Sequence, residues 1–96
     1  MKSLTAILAS AILLSQATAF AMPSTLDMSC RQVASLVSSK GAVVLSTGPG
    51  LFDRYVNGQV YCGEGLIAMP AWIPTKDSAQ CYVGYTCTVP SPGTGG

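Results

Sequence analysis

The sequence predicts an α+β fold: one N-terminal helix packed on a small antiparallel sheet and stapled by two disulfides. Three observations carry that expectation. Residues 28–41 place apolar side chains at helical spacing, residues 80–89 alternate at strand spacing, and an even count of four cysteines falls beyond an export-type leader.

The leader comes first. "MKSLTAILASAILLSQATAFA" has one early charge, Lys2, an apolar run from Leu4 to Leu14, and small residues at Ala17, Ala19 and Ala21. This is the pattern of a secretory signal peptide. The run is shorter than the roughly 20 residues that cross a bilayer, which makes retention as a membrane anchor the weaker reading. Cleavage after Ala21 leaves Met22 first, and Cys30 lies too far downstream for lipid attachment. The expected organisation is a signal peptide over 1–21, a single disulfide-stapled domain over 22–89 and a disordered tail over 90–96. In the exported part Arg31, Lys40, Arg54 and Lys76 balance Asp27, Asp53, Glu64 and Asp77. A neutral chain without a basic cluster is a poor ligand for nucleic acid or anionic membrane surfaces, which are bound through accumulated Lys and Arg. A domain this short buries only about 60% of its unfolded surface, so covalent staples are expected.

In "MSCRQVASLVSSKG", Cys30, Val33, Ala34 and Val37 repeat at i, i+3, i+4 and i+7, the stripe of an amphipathic helix. Asp27 or Ser29 caps its start and Gly41 closes its end. "AVVLST" (42–47) is rich in β-branched residues and reads as a buried strand ending at Gly48-Pro49-Gly50. Asn57-Gly58 suits a type I′ turn, which would pair residues 54–56 with 59–62 as a hairpin; a short helical turn over 52–56 is the alternative. Residues 63–79, with Gly63, Gly65, Pro70 and Pro74, are expected to form a long structured loop. "QCYVGYTCTV" alternates Cys81, Val83, Tyr85, Cys87 and Val89 against Tyr82, Gly84, Thr86 and Thr88, a strand with two distinct faces. The tail "PSPGTGG" has nothing apolar to bury.

The cysteines lack the closely spaced pairs of a zinc site, and the chain has no histidine to complete one. Two disulfides follow, though the count alone leaves the connectivity open. The helix stripe carrying Cys30 must cover the strand face carrying Cys87, which predicts Cys30 joined to Cys87 and Cys62 joined to Cys81.

"GAVVLSTGPG" has the outline of a phosphate-binding loop, but no lysine follows and Pro49 removes a backbone donor. A plain turn is the expectation. The absence of histidine removes the Ser-His-Asp and Cys-His arrangements, and oxidised cysteines leave no thiolate. Asp53, Glu64 and Asp77 are the carboxylates that could serve glycoside hydrolysis, although exposed turn residues are the simpler reading. Lys40 and Lys76 sit in polar surroundings that keep a lysine protonated. No catalytic residue, cofactor or metal is assigned. Among the aromatic residues Phe52, Tyr55, Tyr61, Trp72, Tyr82 and Tyr85, core packing is the default role. Trp72 in "MPAWIPTKD" is the exception: prolines hold the segment extended, so Trp72 and Ile73 cannot both point inward. Trp72, Ile73 and Lys76 are therefore the candidate partner contacts.

The segments "GAVVLSTGP", "DRYV", "PAWIPTKD" and "QCYVGYTC", with their interspersed cysteines, resemble a group of short exported four-cysteine proteins of alpha-class proteobacteria. The resemblance spans Cys30 to Cys87 and implies a periplasmic or secreted setting in which disulfides form; it carries no activity with it. The functional expectation is a non-enzymatic module that binds another protein or the cell envelope, of inhibitor or accessory type. The alternatives are a small carboxylate-dependent hydrolase of envelope polymers and an exported factor acting on a host cell.

Overall fold

The computed structural model describes residues 22–91. The expected signal peptide with its cleavage after Ala21, and the expected tail from residue 92 onward, lie outside the described residues. In chain order there follow a 3-10 turn (Thr25–Asp27), helix α1 (Cys30–Lys40), strands β1 (Ala42–Gly48) and β2 (Leu51–Val56), a second 3-10 turn (Gln59–Tyr61), and strands β3 (Ile67–Thr75) and β4 (Ser78–Thr88). The strands form one antiparallel sheet in the order β1-β2-β4-β3, and α1 packs on one of its faces. The α+β expectation holds.

The helix starts where its amides find acceptors. Ser29 accepts from the Gln32 N–H at 3.1 Å while the Gln32 side chain accepts from the Ser29 N–H at 2.8 Å, a reciprocal capping box. Asp77, from the β3–β4 turn, accepts the Cys30 N–H at 2.8 Å. Gly41 ends the helix at φ 81°, with its N–H bonded to the Val37 carbonyl. Val33 and Val37 are fully buried against Leu45, Tyr55, Ala71, Ile73, Cys81 and Val83. Each large apolar side chain buried there stabilises the fold by roughly 1.5–3 kcal/mol.

The Gly48-Pro49-Gly50 segment is a turn joining β1 to β2, with Gly50 at φ 73°. The hairpin expected at Asn57-Gly58 does not form, and neither does a helical turn over 52–56. Residues 51–56 are strand β2, paired with β1 from Leu51↔Gly48 to Val56↔Ala42. The Asn57 N–H bonds the Gly41 carbonyl, and Gly58 is extended at φ 177°, so these residues lead the chain out of the sheet into the turn at 59–61.

The loop expected over 63–79 is corrected to strand β3 and a tight turn. Prolines argue against a strand because they cannot donate to a ladder, but β3 is an outer strand. The Pro74 carbonyl points away from β4 and accepts the Thr25 hydroxyl at 2.8 Å, and the Ala68 N–H, facing the same way, is taken by the Gln59 amide oxygen at 2.9 Å. Pro70 shares that alternation, so neither proline costs the β3–β4 ladder a bond.

The disulfides are Cys30–Cys81 and Cys62–Cys87, correcting the expected Cys30–Cys87 and Cys62–Cys81. The cause is a bulge in β4. Ala71 pairs with Gly84 and the next residue, Trp72, with Tyr82, so β4 holds one residue more than β3 at this point. Gly84, at φ 136°, absorbs it: a Cβ there would lie 2.6 Å from the Val56 carbonyl oxygen. Beyond the bulge the alternation inverts. Cys81 and Val83 face α1, whereas Tyr85 pairs with Val56 and, with Cys87, belongs to the opposite face. Cys62, which precedes β3 at the end where Ile67 pairs with Thr88, then meets Cys87.

A strap formed by residues 23–28 joins the two outer strands. Ser46 in β1 donates its N–H to the Pro23 carbonyl at 2.9 Å, Thr25 bonds Pro74 in β3, and the Lys76 N–H bonds the Met28 carbonyl at 2.9 Å. Thr25 is fully buried by this closure.

Candidate contact surface

The register divides the side chains between two faces. The α1 side takes Leu45, Tyr55, Ala71, Ile73, Cys81 and Val83. The other face receives Val44 and Phe52 from the β1–β2 hairpin, and Pro70, Trp72, Tyr82 and Tyr85 from the β3–β4 hairpin. An antiparallel sheet covered on one side ordinarily carries polar residues on the other. Here the second face is largely apolar and aromatic. Trp72 is 57% exposed, Tyr82 46% and Phe52 62%.

This answers the question left by the Trp72-Ile73 pair. Ile73 is buried in the core and Trp72 points outward, because adjacent strand residues face opposite sides. Lys76 lies in the β3–β4 turn, its backbone tied to the strap. Sequence reasoning missed Tyr82 and Tyr85. Trp72 packs on Tyr82 with ring centroids 5.7 Å apart and a tilt of 53°, and Tyr82 meets Tyr85 edge to face at 6.1 Å. The three rings form a row bordered by Pro70 and Pro74. Tyr82 is held protonated to higher pH than an ordinary tyrosine, chiefly by the contact of its hydroxyl with that of Tyr85. The signal available in the sequence was Gly84 within the alternation, where a strand glycine marks a bulge.

At the other end of the face, Phe52 forms a separate apolar spot. Between the two lie the Arg54 guanidinium, bonded to the Tyr61 carbonyl at 3.3 Å, and the Cys62–Cys87 bridge.

The carboxylates do not converge. Asp53 is in β2, Glu64 precedes β3, and Asp77 lies in the turn at its far end. The nine residues of β3 put Glu64 and Asp77 roughly 25 Å apart, well beyond the spacing of about 5–9.5 Å between paired carboxylates in glycoside hydrolysis. Asp77 is instead a helix cap, and the Cys30 N–H followed by the Thr75 hydroxyl holds its carboxyl below the usual carboxylate range. No cavity and no cluster of metal-ligating side chains occurs among the described residues, and none of their helices is long and apolar enough to cross a membrane. No family model, curated protein or solved structure matches the chain.

Proposed function

We propose that this protein is a periplasmic or secreted binding module, of inhibitor or accessory type, that attaches to another protein or to an envelope component through the open face of its sheet. One observation carries the reading: a tryptophan more than half exposed, set in a row of aromatic rings on a face that would ordinarily be polar. The β3–β4 hairpin is held at one end by Cys62–Cys87 and near the other by Cys30–Cys81, so little ordering entropy is lost when a partner binds. Tryptophan and tyrosine are also the residues most often found at binding hot spots. The dispersed carboxylates give the hydrolase alternative no paired site, and nothing in the fold favours action on a host cell over a role in the envelope.

The test uses the oxidised protein. Trp72 is the only tryptophan, so its emission reports this face alone. It should be red-shifted and readily quenched by iodide, and the Trp72→Ala variant should keep its fold and disulfides but lose the partner recovered from periplasmic extract. Blue, unquenched emission, or retention of that partner by Trp72→Ala, would remove the face from consideration.

A further inference from the structure

We infer that the Trp72-Tyr82-Tyr85 row is a subsite for an uncharged polysaccharide chain, each ring stacking on the C–H face of a sugar. The inference rests on the contact-face reading above and names its ligand class.

The row is too small for a globular partner. An aromatic side chain presents about 150–250 Å² when wholly exposed, so three partly exposed rings and two prolines offer roughly 400 Å², half of the about 800 Å² per partner in a stable protein interface. Arg54, Tyr61 and the Cys62–Cys87 bridge separate the row from Phe52, so the area cannot be doubled by joining them. A narrow row fits a linear ligand better than a globular partner or a second copy of this chain.

An extended peptide is a poor fit to this edge. Strand addition needs free donors along a sheet edge. On the outer edge of β3, Pro70 and Pro74 have none and the Ala68 N–H is already bonded to Gln59, so Trp72 alone of these outward positions offers a donor, too few for a ladder. Proline-rich ligands are gripped in grooves between aromatic side chains. Here successive rings touch at 5.7 and 6.1 Å and leave no slot between them. A ligand lies along the row.

The positions forming the row and its border, Pro70, Trp72, Pro74, Tyr82 and Tyr85, include no charged residue, so acidic peptides, anionic lipids and nucleic acids find no counter-charge. A pyranose presents an apolar C–H face and a rim of hydroxyls. The row supplies the complement, ring faces tipped by the hydroxyls of Tyr82 and Tyr85 and by the indole N–H of Trp72. Because the rings turn by 53° and then 88°, the row suits a twisted soluble glycan rather than a flat crystalline surface.

The probes are chitohexaose and cellohexaose, titrated into the oxidised full-length exported protein at low and high salt while Trp72 emission is followed. A saturable blue shift with either sugar, insensitive to salt, is expected. Tyr82→Ala should weaken binding about tenfold or more, read by calorimetry together with Trp72→Ala. Trp72→Phe, which keeps a stacking ring, should retain most of the affinity, and Val60→Ala, at an exposed turn residue outside the face, should leave it unchanged. Absence of a saturable response to both sugars overturns the inference. If Trp72-dependent binding of a proline-rich peptide, or Trp72-dependent dimerisation in sedimentation, is then found, the contact-face reading survives without it. Sugar binding undiminished in Trp72→Ala would overturn both.

Discussion

Removing the two disulfides one at a time should have unequal effects. The Cys30→Ala/Cys81→Ala pair releases a loop with a sequence separation of 51, and Cys62→Ala/Cys87→Ala releases one of 25. The chain-entropy relation gives about 4 kcal/mol for the longer loop and about 3.5 kcal/mol for the shorter at 25 °C. Burial widens the gap. Cys81 is 1% exposed within the core formed by α1 and the sheet, so its truncation also leaves a void costing roughly 1 kcal/mol. Cys62 and Cys87 are only partly buried. The expected losses are about 5 and about 3.5 kcal/mol, against a total of about 5–15 kcal/mol for a folded domain. The first variant should sit at or past its unfolding threshold, while the second should fold with a lowered midpoint. Guanidinium unfolding followed by far-UV circular dichroism measures both, with non-reducing peptide mapping to identify the remaining bridge. Equal midpoints, or a lower one for Cys62→Ala/Cys87→Ala, would refute the reasoning; a Cys30–Cys87 peptide in the unmodified protein would overturn the bulge as well.

Gly84→Ala should cost about 1–3 kcal/mol or more, from its backbone angle and the Cβ contact with the Val56 carbonyl, read as a fall in denaturant midpoint with unchanged slope. Thr25→Val keeps the shape of the buried side chain but leaves the Pro74 carbonyl without its donor; a loss of about 1–3 kcal/mol is expected in the same assay. Ser29→Ala should cost about 1 kcal/mol through loss of the capping box, with the loss of helical signal confined to the thermal transition. Asp77 has a folded pKa below its unfolded value near 3.9, so its contribution is present above that pH and is lost as pH falls through the folded value. Thermal midpoints of the wild type and Asp77→Ala should therefore differ at pH 6 and converge in strong acid; a gap that persists at low pH would contradict the assignment.

The elements legible in the sequence were those specified by local chemistry. Ser29, Val33, Val37 and Gly41 mark the helix by spacing and caps, and Ala42 to Gly48 mark β1 by β-branching and its glycine-proline end. What escaped depended on place in the sheet. Pro70 and Pro74 break a central strand but not an outer one, and nothing within residues 67–75 says which they occupy. Asn57-Gly58 has the chemistry of a hairpin turn, yet tertiary contacts use it as an exit. The period of β4 was readable on each side of Gly84 but not across it, and that inversion changed the disulfide pairing and moved Tyr85 to the face of Tyr82 and Trp72. Trp72 was legible as a contact candidate because its prolines forced a choice; its two tyrosine neighbours were not.

The strap across β1 and β3 bears on the order of folding. Its anchors on the β3 side are remote in sequence: Thr25 reaches Pro74 over 49 residues, and just beyond the strap the amide of Cys30 reaches Asp77 over 47. Folds dominated by such long-range contacts are slow, because chain closure precedes any gain from the contact. A nascent chain can join Pro23 to Ser46 once β1 is made, but the strap does not close until the β3–β4 turn has been made. Chains truncated before Pro74 should remain protease-sensitive throughout, α1 included, and protection should appear in one step once the turn is added. Closure of the strap therefore waits for the β3–β4 turn, the last turn of the described fold to be synthesised.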